Sequence, residues 1–215
     1  MSAAADAELV IAIDGPAAAG KGTLSRKLAE HFGIDYLDTG ALYRAVGLRV
    51  LRVGGQPADP VVAEQEARAL APVDLRHPEL RSMKAAEAAS QVAAHPGVRA
   101  ALLEFQRTFA HHPPGGRGAV LDGRDIGTVV LPDARHKLFV TASPAARARR
   151  RWLELPESGR PALAEIEAQV RQRDTRDEER AVAPLKPAAD AFLLDTTDLD
   201  IDAAFAAAKA YLSRR

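Results

Sequence analysis

Hydrophobic and polar positions follow one another in blocks that predict strands and helices in alternation. Short, mainly apolar runs predict strands at residues 9–13, 34–37, 119–121, 137–142 and 191–194. Longer segments with apolar residues three and four positions apart predict amphipathic helices. These helices span residues 21–32, 41–53, 59–71, 81–94, 98–110, 145–155, 163–180 and 201–212. The alternation predicts an α/β fold with a doubly wound, mainly parallel sheet of five strands.

The first strand and the first helix are joined by a glycine-rich segment that we call the phosphate loop. Its small residues allow backbone N–H groups to turn inward, and they are Gly15, Pro16, Ala17, Ala18, Ala19, Gly20 and Gly22. A strand, a glycine loop and a helix N-terminus in this order form an anion site, whereas the alternative is an ordinary turn that opens a helix. Lys21 supplies a point charge for phosphates, and Thr23 supplies a hydroxyl for Mg²⁺. The sequence therefore predicts binding of ATP with Mg²⁺.

Composition limits the class of protein. The 29 basic and 29 acidic residues give a formal net charge of zero, which argues against a general nucleic-acid or membrane binder. The chain has no cysteine, which excludes disulfides and thiolate zinc sites and is compatible with a cytoplasmic location. The first eight residues do not have the pattern of a signal peptide, and residues up to Ala7 are expected to be disordered.

Five separated motifs between Val10 and Thr197 resemble those of the bacterial cytidylate kinases, in the same order. The phosphate loop is the first, because its Gly-Lys-Gly-Thr sequence is typical of nucleoside monophosphate kinases. The second is Asp-Thr-Gly-Ala-Leu-Tyr-Arg at residues 38–44. In that family the hydroxyl and the arginine of this motif hold the acceptor monophosphate. The resemblance implies that Thr39 and Arg44 bind the phosphate of CMP and that Tyr43 lines its pocket.

Two further motifs of that family concern the base of the acceptor. Residues 85–99 resemble a segment that reads cytosine with a serine and an arginine, which implies those roles for Ser90 and Arg99. The run Asp-Gly-Arg-Asp at residues 122–125 resembles a segment in which the arginine binds the acceptor phosphate and the second aspartate binds the base. Arg124 and Asp125 take these roles, and a carboxylate would accept from the N4 amino group of cytosine. Asp122 falls where an acid often completes a P-loop metal site together with Thr23.

The last motif and an arginine-rich helix lie towards the C-terminus. Residues 173–185 resemble a segment that binds the ribose and the phosphate of the acceptor. The resemblance implies that Arg173 and Asp177 hold the ribose, that Arg180 holds the phosphate and that Arg176 faces the transferring group. The alternative is a ladder of ion pairs on the helix surface. The helix at residues 145–155 resembles one that leads into a mobile lid and reaches the donor phosphates. This implies that Arg147 and Arg151 contact ATP, and the alternative is a solvated helix face.

The resemblance also implies the organisation of the chain and its reaction. We expect a single domain, with a P-loop kinase core at residues 9–40, 117–145 and 185–215, a helical NMP-binding insertion at 41–116 and a lid near 150–172. Only residues 73–79 occupy the place of a β-rich insertion found in longer family members. The expected enzyme is a monomer that phosphorylates CMP and dCMP with ATP and Mg²⁺ and binds neither nucleic acid nor membrane. The alternatives are a kinase for UMP, AMP or shikimate, and a P-loop NTPase or nucleic-acid partner without kinase activity.

Overall fold

The computed structural model describes residues 9–214, and the predicted disorder up to Ala7 lies outside these residues. Its centre is a five-stranded sheet in which each pair of neighbours is parallel and the strand order is β2-β3-β1-β4-β5. The strands are β1 (Leu9–Asp14), β2 (Asp35–Asp38), β3 (Gly118–Gly123), β4 (His136–Thr141) and β5 (Phe192–Asp195). The prediction of a doubly wound, parallel α/β fold is therefore confirmed.

Eight α-helices connect and cover the strands within the described residues. They are α1 (Lys21–Phe32), α2 (Thr39–Arg52), α3 (Pro60–Arg68), α4 (Met83–Val92), α5 (Pro96–His111), α6 (Pro144–Glu154), α7 (Leu163–Glu179) and α8 (Ile201–Leu212). Helices α1 and α8 pack against one face of the sheet, where Leu24 and Ala208 join a cluster with Ile11 and Leu138. Ala110 of α5 packs on the other face. Both faces of the central strands are therefore covered, as their apolar sequences predict.

Helices α2 to α5 form a helical insertion between β2 and β3. The insertion has its own apolar cluster, which includes Leu42, Val46, Val92 and Leu102. Two short 3₁₀ turns, at Asp74–Arg76 and Pro78–Arg81, occupy the place that the sequence analysis assigned to the β-rich insertion of longer family members.

One arginine connects three parts of this insertion. Arg49 of α2 donates from Nε to Glu66 of α3 at 2.8 Å and from Nη1 to Asp74 of the first 3₁₀ turn at 2.9 Å. Asp74 also accepts from the backbone N–H of Ala71 at 3.0 Å. Because both acids are buried, these charge-assisted bonds satisfy groups that would otherwise be costly to bury.

Several helices begin where a capping side chain is available. Asp38, Asp59, Ser82 and Asp200 each accept a hydrogen bond from a backbone N–H in the first turn of α2, α3, α4 and α8, respectively. Helix α5 begins at Pro96 rather than at residue 98, because proline has no N–H to leave unsatisfied and its fixed φ suits the first helical position.

Two local features differ from the sequence-based expectations. The apolar positions of α5 predict that Phe105 faces inward with Leu102, Leu103 and Phe109, and this prediction is wrong because Phe105 is 48% exposed. The buried stripe of α5 repeats every four residues through Leu102, and Phe105 lies at its edge. Residues Ile126–Val130 form a single turn of π-helix that no hydrophobic period indicated.

No helix in residues 9–214 is both long enough and apolar enough to cross a membrane.

Candidate active site

The phosphate loop leaves the carboxyl end of the central strand β1 and enters α1. Gly15 has φ of 143°, and a Cβ atom there would lie 1.9 Å from the carbonyl oxygen of Val140, so only glycine fits. Gly20 has φ of 87° and precedes the first residue of α1, which is Lys21. The Lys21 ammonium donates to the carbonyl oxygen of Pro16 at 2.7 Å. The lysine is thus folded over the loop, with free N–H groups of the helix terminus beside it.

A cavity of about 550 Å³ extends from the phosphate loop to the helical insertion. Most of the residues that the sequence singled out line it, namely Ala17, Ala18, Ala19, Gly20, Lys21, Gly22, Thr23, Thr39, Tyr43, Arg44, Ser90, Arg99, Asp122, Arg124, Asp125, Arg151, Arg173, Asp177 and Arg180. They come from seven separate segments of the chain. The carboxyl ends of β1 and β3 face this cavity, as expected for ligand sites in open parallel sheets.

Five arginines of the cavity wall come from α2, α5, α7 and the segments that follow β3 and α7, and we call the part of the cavity that they line the basic pocket. They are Arg44, Arg99, Arg124, Arg173 and Arg180. Burial, followed by the positive charge of Arg124, lowers the pKa of Arg173 to about 10. Burial, followed by the charge of Arg99, also lowers the pKa of Arg180. Arginines that repel one another at close range favour an anionic ligand between them.

Two carboxylates face four of these arginines. Asp125 forms an ion pair with Arg99, and its other oxygen lies 3.8 Å from Nη2 of Arg180. Asp177 accepts from Nε of Arg124 at 2.9 Å and lies 3.9 Å from Nε of Arg173. Although burial alone would raise the pKa of Asp177, the charges of Arg124 and Arg173 hold it below its usual value.

Residues at the start of α2 connect the basic pocket to the sheet. Arg44 donates from Nη2 to Asp38 at 2.6 Å, and Asp38 also caps α2 through the N–H of Ala41. The Thr39 hydroxyl donates to the backbone oxygen of Asp122 at 2.7 Å, which leaves its lone pairs available to a ligand. The ring of Tyr43 lies below the guanidinium of Arg99, 5.6 Å from its centroid to Cζ.

Four polar atoms of the cavity wall are buried and have no hydrogen-bond partner. They are Nε of Arg44, Oγ of Ser90, Nε of Arg173 and Nη2 of Arg180. Buried polar groups without partners are uncommon in folded proteins and cost about 1–3 kcal/mol each. A ligand with several oxygen and nitrogen acceptors would satisfy these donors, so the wall fits a nucleotide better than it fits an apolar molecule.

The residues expected to bind Mg²⁺ lie next to Lys21. Asp122 is the second-to-last residue of β3. One of its side-chain oxygens accepts a hydrogen bond from the hydroxyl of Tyr36 at 3.1 Å. Burial, followed by repulsion from Asp38, raises its pKa. Burial, followed by the charge of Arg124, lowers the pKa of Lys21. A divalent cation and a polyphosphate would reverse both shifts, so these residues fit the pair.

No group of three or more His, Cys, Asp or Glu residues in the described part of the chain could hold a metal ion by itself.

Four of the predicted site residues do not line the cavity. Gly15 and Pro16 are the first two residues of the phosphate loop, and Gly15 lies against the backbone of Val140 in β4. Arg147 is buried beneath the loop, where it donates to Asp174 at 2.6 and 2.9 Å and to the carbonyl oxygen of Ala17 at 3.2 Å. Arg176 forms a bidentate ion pair with Glu87 of α4, at 2.5 and 2.8 Å.

Sequence reasoning did not single out Arg150, which lines the cavity beside the phosphate loop. Arg150 donates from Nη1 to the hydroxyl of Thr196 at 3.0 Å, and that hydroxyl lies 3.1 Å from the carbonyl oxygen of Ala19. The signal was the arginine run at residues 147–151, which does not reveal which arginine faces a ligand.

The segment between α6 and α7 folds back on α6. Nε1 of Trp152 donates to the carbonyl oxygen of Pro161 at 2.9 Å, and the guanidinium of Arg160 lies over the indole ring at 4.2 Å. Arg160 also donates to the carbonyl oxygen of Leu155 at 2.6 Å. These contacts hold the segment in a compact turn above the cavity-lining end of α6.

A phosphate loop after the central strand, a lysine on that loop and an arginine-rich pocket across one cavity define the class of P-loop kinases. A family model described as Cytidylate kinase matches residues 11–213. The chain therefore belongs to the cytidylate kinase family, and the resemblance found in its motifs is confirmed.

Individual relatives agree with this assignment. The chain is 64% identical to a cytidylate kinase of Paramagnetospirillum magneticum over 93% of this chain and 95% of that protein. It is 60% identical to one of Cereibacter sphaeroides, with 90% of each chain covered, and 54% identical to one of Caulobacter sp., with 93% and 92% covered. A crystal structure of an uncharacterized protein from Eubacterium ventriosum has a TM-score of 0.57 at 15% identity, over 97% of this chain and 100% of that chain, and it supports the fold alone.

Proposed function

We propose that this protein transfers the γ-phosphoryl group of ATP to CMP or dCMP and releases ADP with CDP or dCDP. The observation that carries the proposal is that one continuous cavity joins the phosphate loop to a pocket that has five arginines and a buried aspartate–arginine pair. A kinase for nucleotides needs these two anion sites to face one another. The family of the chain supports the same reaction.

Lys21 and the N–H groups of the phosphate loop hold the donor phosphates. Their positive charge stabilises the negative charge that develops on the bridging and transferring oxygens. Bound Mg²⁺ supplies further charge neutralisation and orients the phosphates, and Thr23 and Asp122 are the residues that would hold it. The lowered pKa of Lys21 implies that binding of the polyphosphate restores its full charge.

The acceptor phosphate lies among Arg44, Arg124 and Arg180, with Thr39 as an additional hydrogen-bonding group. Arg173 and Asp177 bind the ribose. The acceptor is a phosphate oxygen that is ionised at neutral pH, so the reaction needs no strong general base. Catalysis therefore consists of positioning two nucleotides in line and neutralising their charge.

Asp125, Arg99 and Ser90 select cytosine at the end of the basic pocket. One oxygen of Asp125 pairs with Arg99, while the other lies 3.8 Å from Nη2 of Arg180, beyond hydrogen-bond distance, and remains able to accept from the N4 amino group. Arg99 and Ser90 donate to the acceptors N3 and O2. Uracil carries a carbonyl at position 4, which would face the carboxylate without a donor.

The segment near residues 150–172 acts as a lid that closes over the transferring group and excludes water. Arg151 lines the cavity already. Arg176 is exposed enough to leave Glu87, because its side chain is 32% accessible and surface ion pairs contribute little to stability. We propose that closure brings Arg176 towards the phosphates, whereas Arg147 supports the loop from beneath.

The test is ADP release with ATP, Mg²⁺ and a panel of acceptors that consists of CMP, dCMP, UMP and AMP. CMP and dCMP should give the highest kcat/KM. A preference for UMP or AMP would replace the proposed acceptor, and steady ATP hydrolysis without any acceptor would indicate a P-loop NTPase instead. The monomeric state and the cytoplasmic location stay predictions, which gel filtration and cell fractionation test.

A further inference from the structure

Asp14 is a buried carboxylate that the proposed mechanism does not use. It is the last residue of β1 and is 3% exposed. Its two side-chain oxygens accept from two consecutive backbone N–H groups, those of Ile126 and Gly127, each at 2.7 Å. Each oxygen therefore holds one backbone N–H, and Asp14 is not among the residues that line the cavity.

The backbone of Asp14 is tied to the same segment at its other end. In the β1–β3 ladder Asp14 is paired with Gly123, which is the last residue of β3. The segment from Gly123 to Gly127 is thus anchored at both ends to one residue of the central strand. Between the two anchors lie Arg124 and Asp125, which belong to the basic pocket.

The residues that follow Asp125 do not continue the segment as a regular α-helix. Residues Ile126–Val130 form a π-helical turn, and Asp125 before it has φ of −149° with no side-chain cap. Within the described residues, Asp14 is the side chain whose hydrogen bonds hold the first two N–H groups of that turn. A group that receives two N–H donors in fixed directions sets both the position and the rotation of the peptide before them.

We propose that Asp14 is a positioning residue for the acceptor, which sets the place of Asp125 and Arg124 and thereby the preference for cytosine over uracil. The inference rests on the proposed function, because it assumes that Asp125 reads the base. It also gives the residue before the phosphate loop a second role. One position of the central strand fixes the start of the donor loop and the geometry of the acceptor pocket.

A carboxylate suits this role better than the isosteric amide. Each oxygen of Asp14 accepts one N–H, and an ionised carboxylate has no donor that could oppose either of them. Asparagine keeps the shape but presents an NH₂ group to one of the two N–H groups. The Asp14→Asn variant should therefore rotate or release one end of the segment while it leaves the volume of the core unchanged.

The test compares Asp14→Asn with the wild-type enzyme, with CMP and UMP as acceptors. We expect KM for CMP to rise at least about tenfold, the ratio of kcat/KM for CMP over UMP to fall about tenfold, and KM for ATP to change less than about threefold. The matched control is Asp74→Asn. Asp74 is also a buried carboxylate that accepts a backbone N–H, but it lies in the helical insertion away from the cavity.

A merely structural role for Asp14 predicts a different outcome. Both variants would then lower the melting temperature and leave the ratio of CMP to UMP unchanged. Folded Asp14→Asn protein with a ratio within about twofold of wild type would overturn the proposal. Wild-type enzyme that does not phosphorylate CMP would instead refute the proposed function, so the two failures are distinguishable.

A second variant decides the question if Asp14→Asn does not fold. A Cβ atom at Gly127 would lie 3.3 Å from the Asp14 carboxylate and 3.2 Å from Cδ of Lys137. Gly127→Ala therefore crowds the hydrogen bond between the Gly127 N–H and Asp14 without changing Asp14 itself. Gly127 does not have a positive φ, and alanine is compatible with its backbone. We expect the ratio to fall about two- to fivefold in this variant. An unchanged ratio in folded Gly127→Ala would overturn the proposal.

Discussion

Arg124 and Asp177 form a salt bridge with an Nε to Oδ2 distance of 2.9 Å, although 53 positions separate them in the sequence. Arg124 follows β3, and Asp177 lies in the last turns of α7. The bridge therefore fixes α7 against the end of the sheet. Asp177 also lies within 3.9 Å of Arg173, so one carboxylate offsets two guanidinium groups of the basic pocket.

Asp177→Asn should weaken binding of the acceptor more than binding of ATP. Without the negative charge, Arg124 and Arg173 repel each other in a buried site, and the pocket loses its geometry. We expect KM for CMP to rise about 10- to 100-fold and KM for ATP to change less than about threefold. Glu167→Gln, which breaks the pair with Arg171 on the exposed side of the same helix, is the matched control and should leave both values unchanged.

Lys21→Ala should lower kcat by about two to three orders of magnitude, because the donor phosphates lose the positive charge of the phosphate-loop lysine. Steady-state kinetics with saturating ATP and CMP measures this change. Lys27→Ala is a suitable control, since Lys27 lies on the same helix and pairs with Asp202 on the surface. A Lys21→Ala enzyme with nearly normal kcat would contradict the role of this lysine.

Asp125→Ala should reduce the selectivity for CMP over UMP by about 10- to 100-fold, because the carboxylate that favours the N4 amino group is removed. The ratio of kcat/KM for the two acceptors is the readout. Asp133→Ala changes an exposed aspartate near the following strand and controls for the loss of one negative charge. An unchanged ratio in Asp125→Ala would show that the base is read elsewhere.

Arg147 and Asp174 should behave as one unit. Arg147→Lys and Asp174→Asn each break the buried bidentate pair, so each should lower the melting temperature and raise KM for ATP by a similar factor, within about threefold of each other. The double variant should be little worse than either single one. A much larger effect of Arg147→Lys than of Asp174→Asn would instead indicate that Arg147 contacts the donor phosphates directly.

Asp14→Asn should also change how the free energy of unfolding depends on pH. Burial raises the pKa of Asp14 from 3.8 to about 6. Between these values the folded state binds more protons than the unfolded state, so the contribution of Asp14 to stability is complete below the unfolded pKa and is lost as pH rises through the folded one. The stability of wild type relative to the variant should fall by up to about 3 kcal/mol between about pH 4 and about pH 7.

Urea unfolding of both proteins across this range measures that difference. Asp74→Asn serves again as the control. Although burial alone would raise the pKa of Asp74, the hydrogen bonds from the Ala71 N–H and from Arg49 lower it. The contribution of Asp74 to stability therefore depends on pH in the opposite direction. Parallel stability curves for wild type and Asp14→Asn would contradict the raised pKa of Asp14.

The sequence predicted the order of strands and helices well, because the apolar runs of β1 and β3 and the caps of α2 and α3 are local signals. The glycine-rich loop and its lysine are local as well. Ser90, Arg99 and Asp125 were grouped by resemblance to a family, and the fold brings them to one cavity through contacts that no single segment encodes.

Long-range pairing accounts for what the sequence did not reveal. Arg147 and Arg151 look alike in an arginine-rich helix, and only the packing of α6 on α7 decides that Arg147 meets Asp174 while Arg151 faces the cavity. The same holds for Arg176, whose partner Glu87 belongs to another helix. The turn at Ile126–Val130 depends on Asp14, which lies more than a hundred positions earlier in the chain.

The indole that stacks under Arg160 is the only tryptophan in the sequence. Its ring nitrogen bonds to the carbonyl oxygen of Pro161, so its surroundings depend on how the segment between α6 and α7 is folded. Intrinsic fluorescence of the unmodified protein is therefore a reporter of that one segment. Stopped-flow emission during mixing with nucleotides would time the opening and closing of the enzyme without any attached dye.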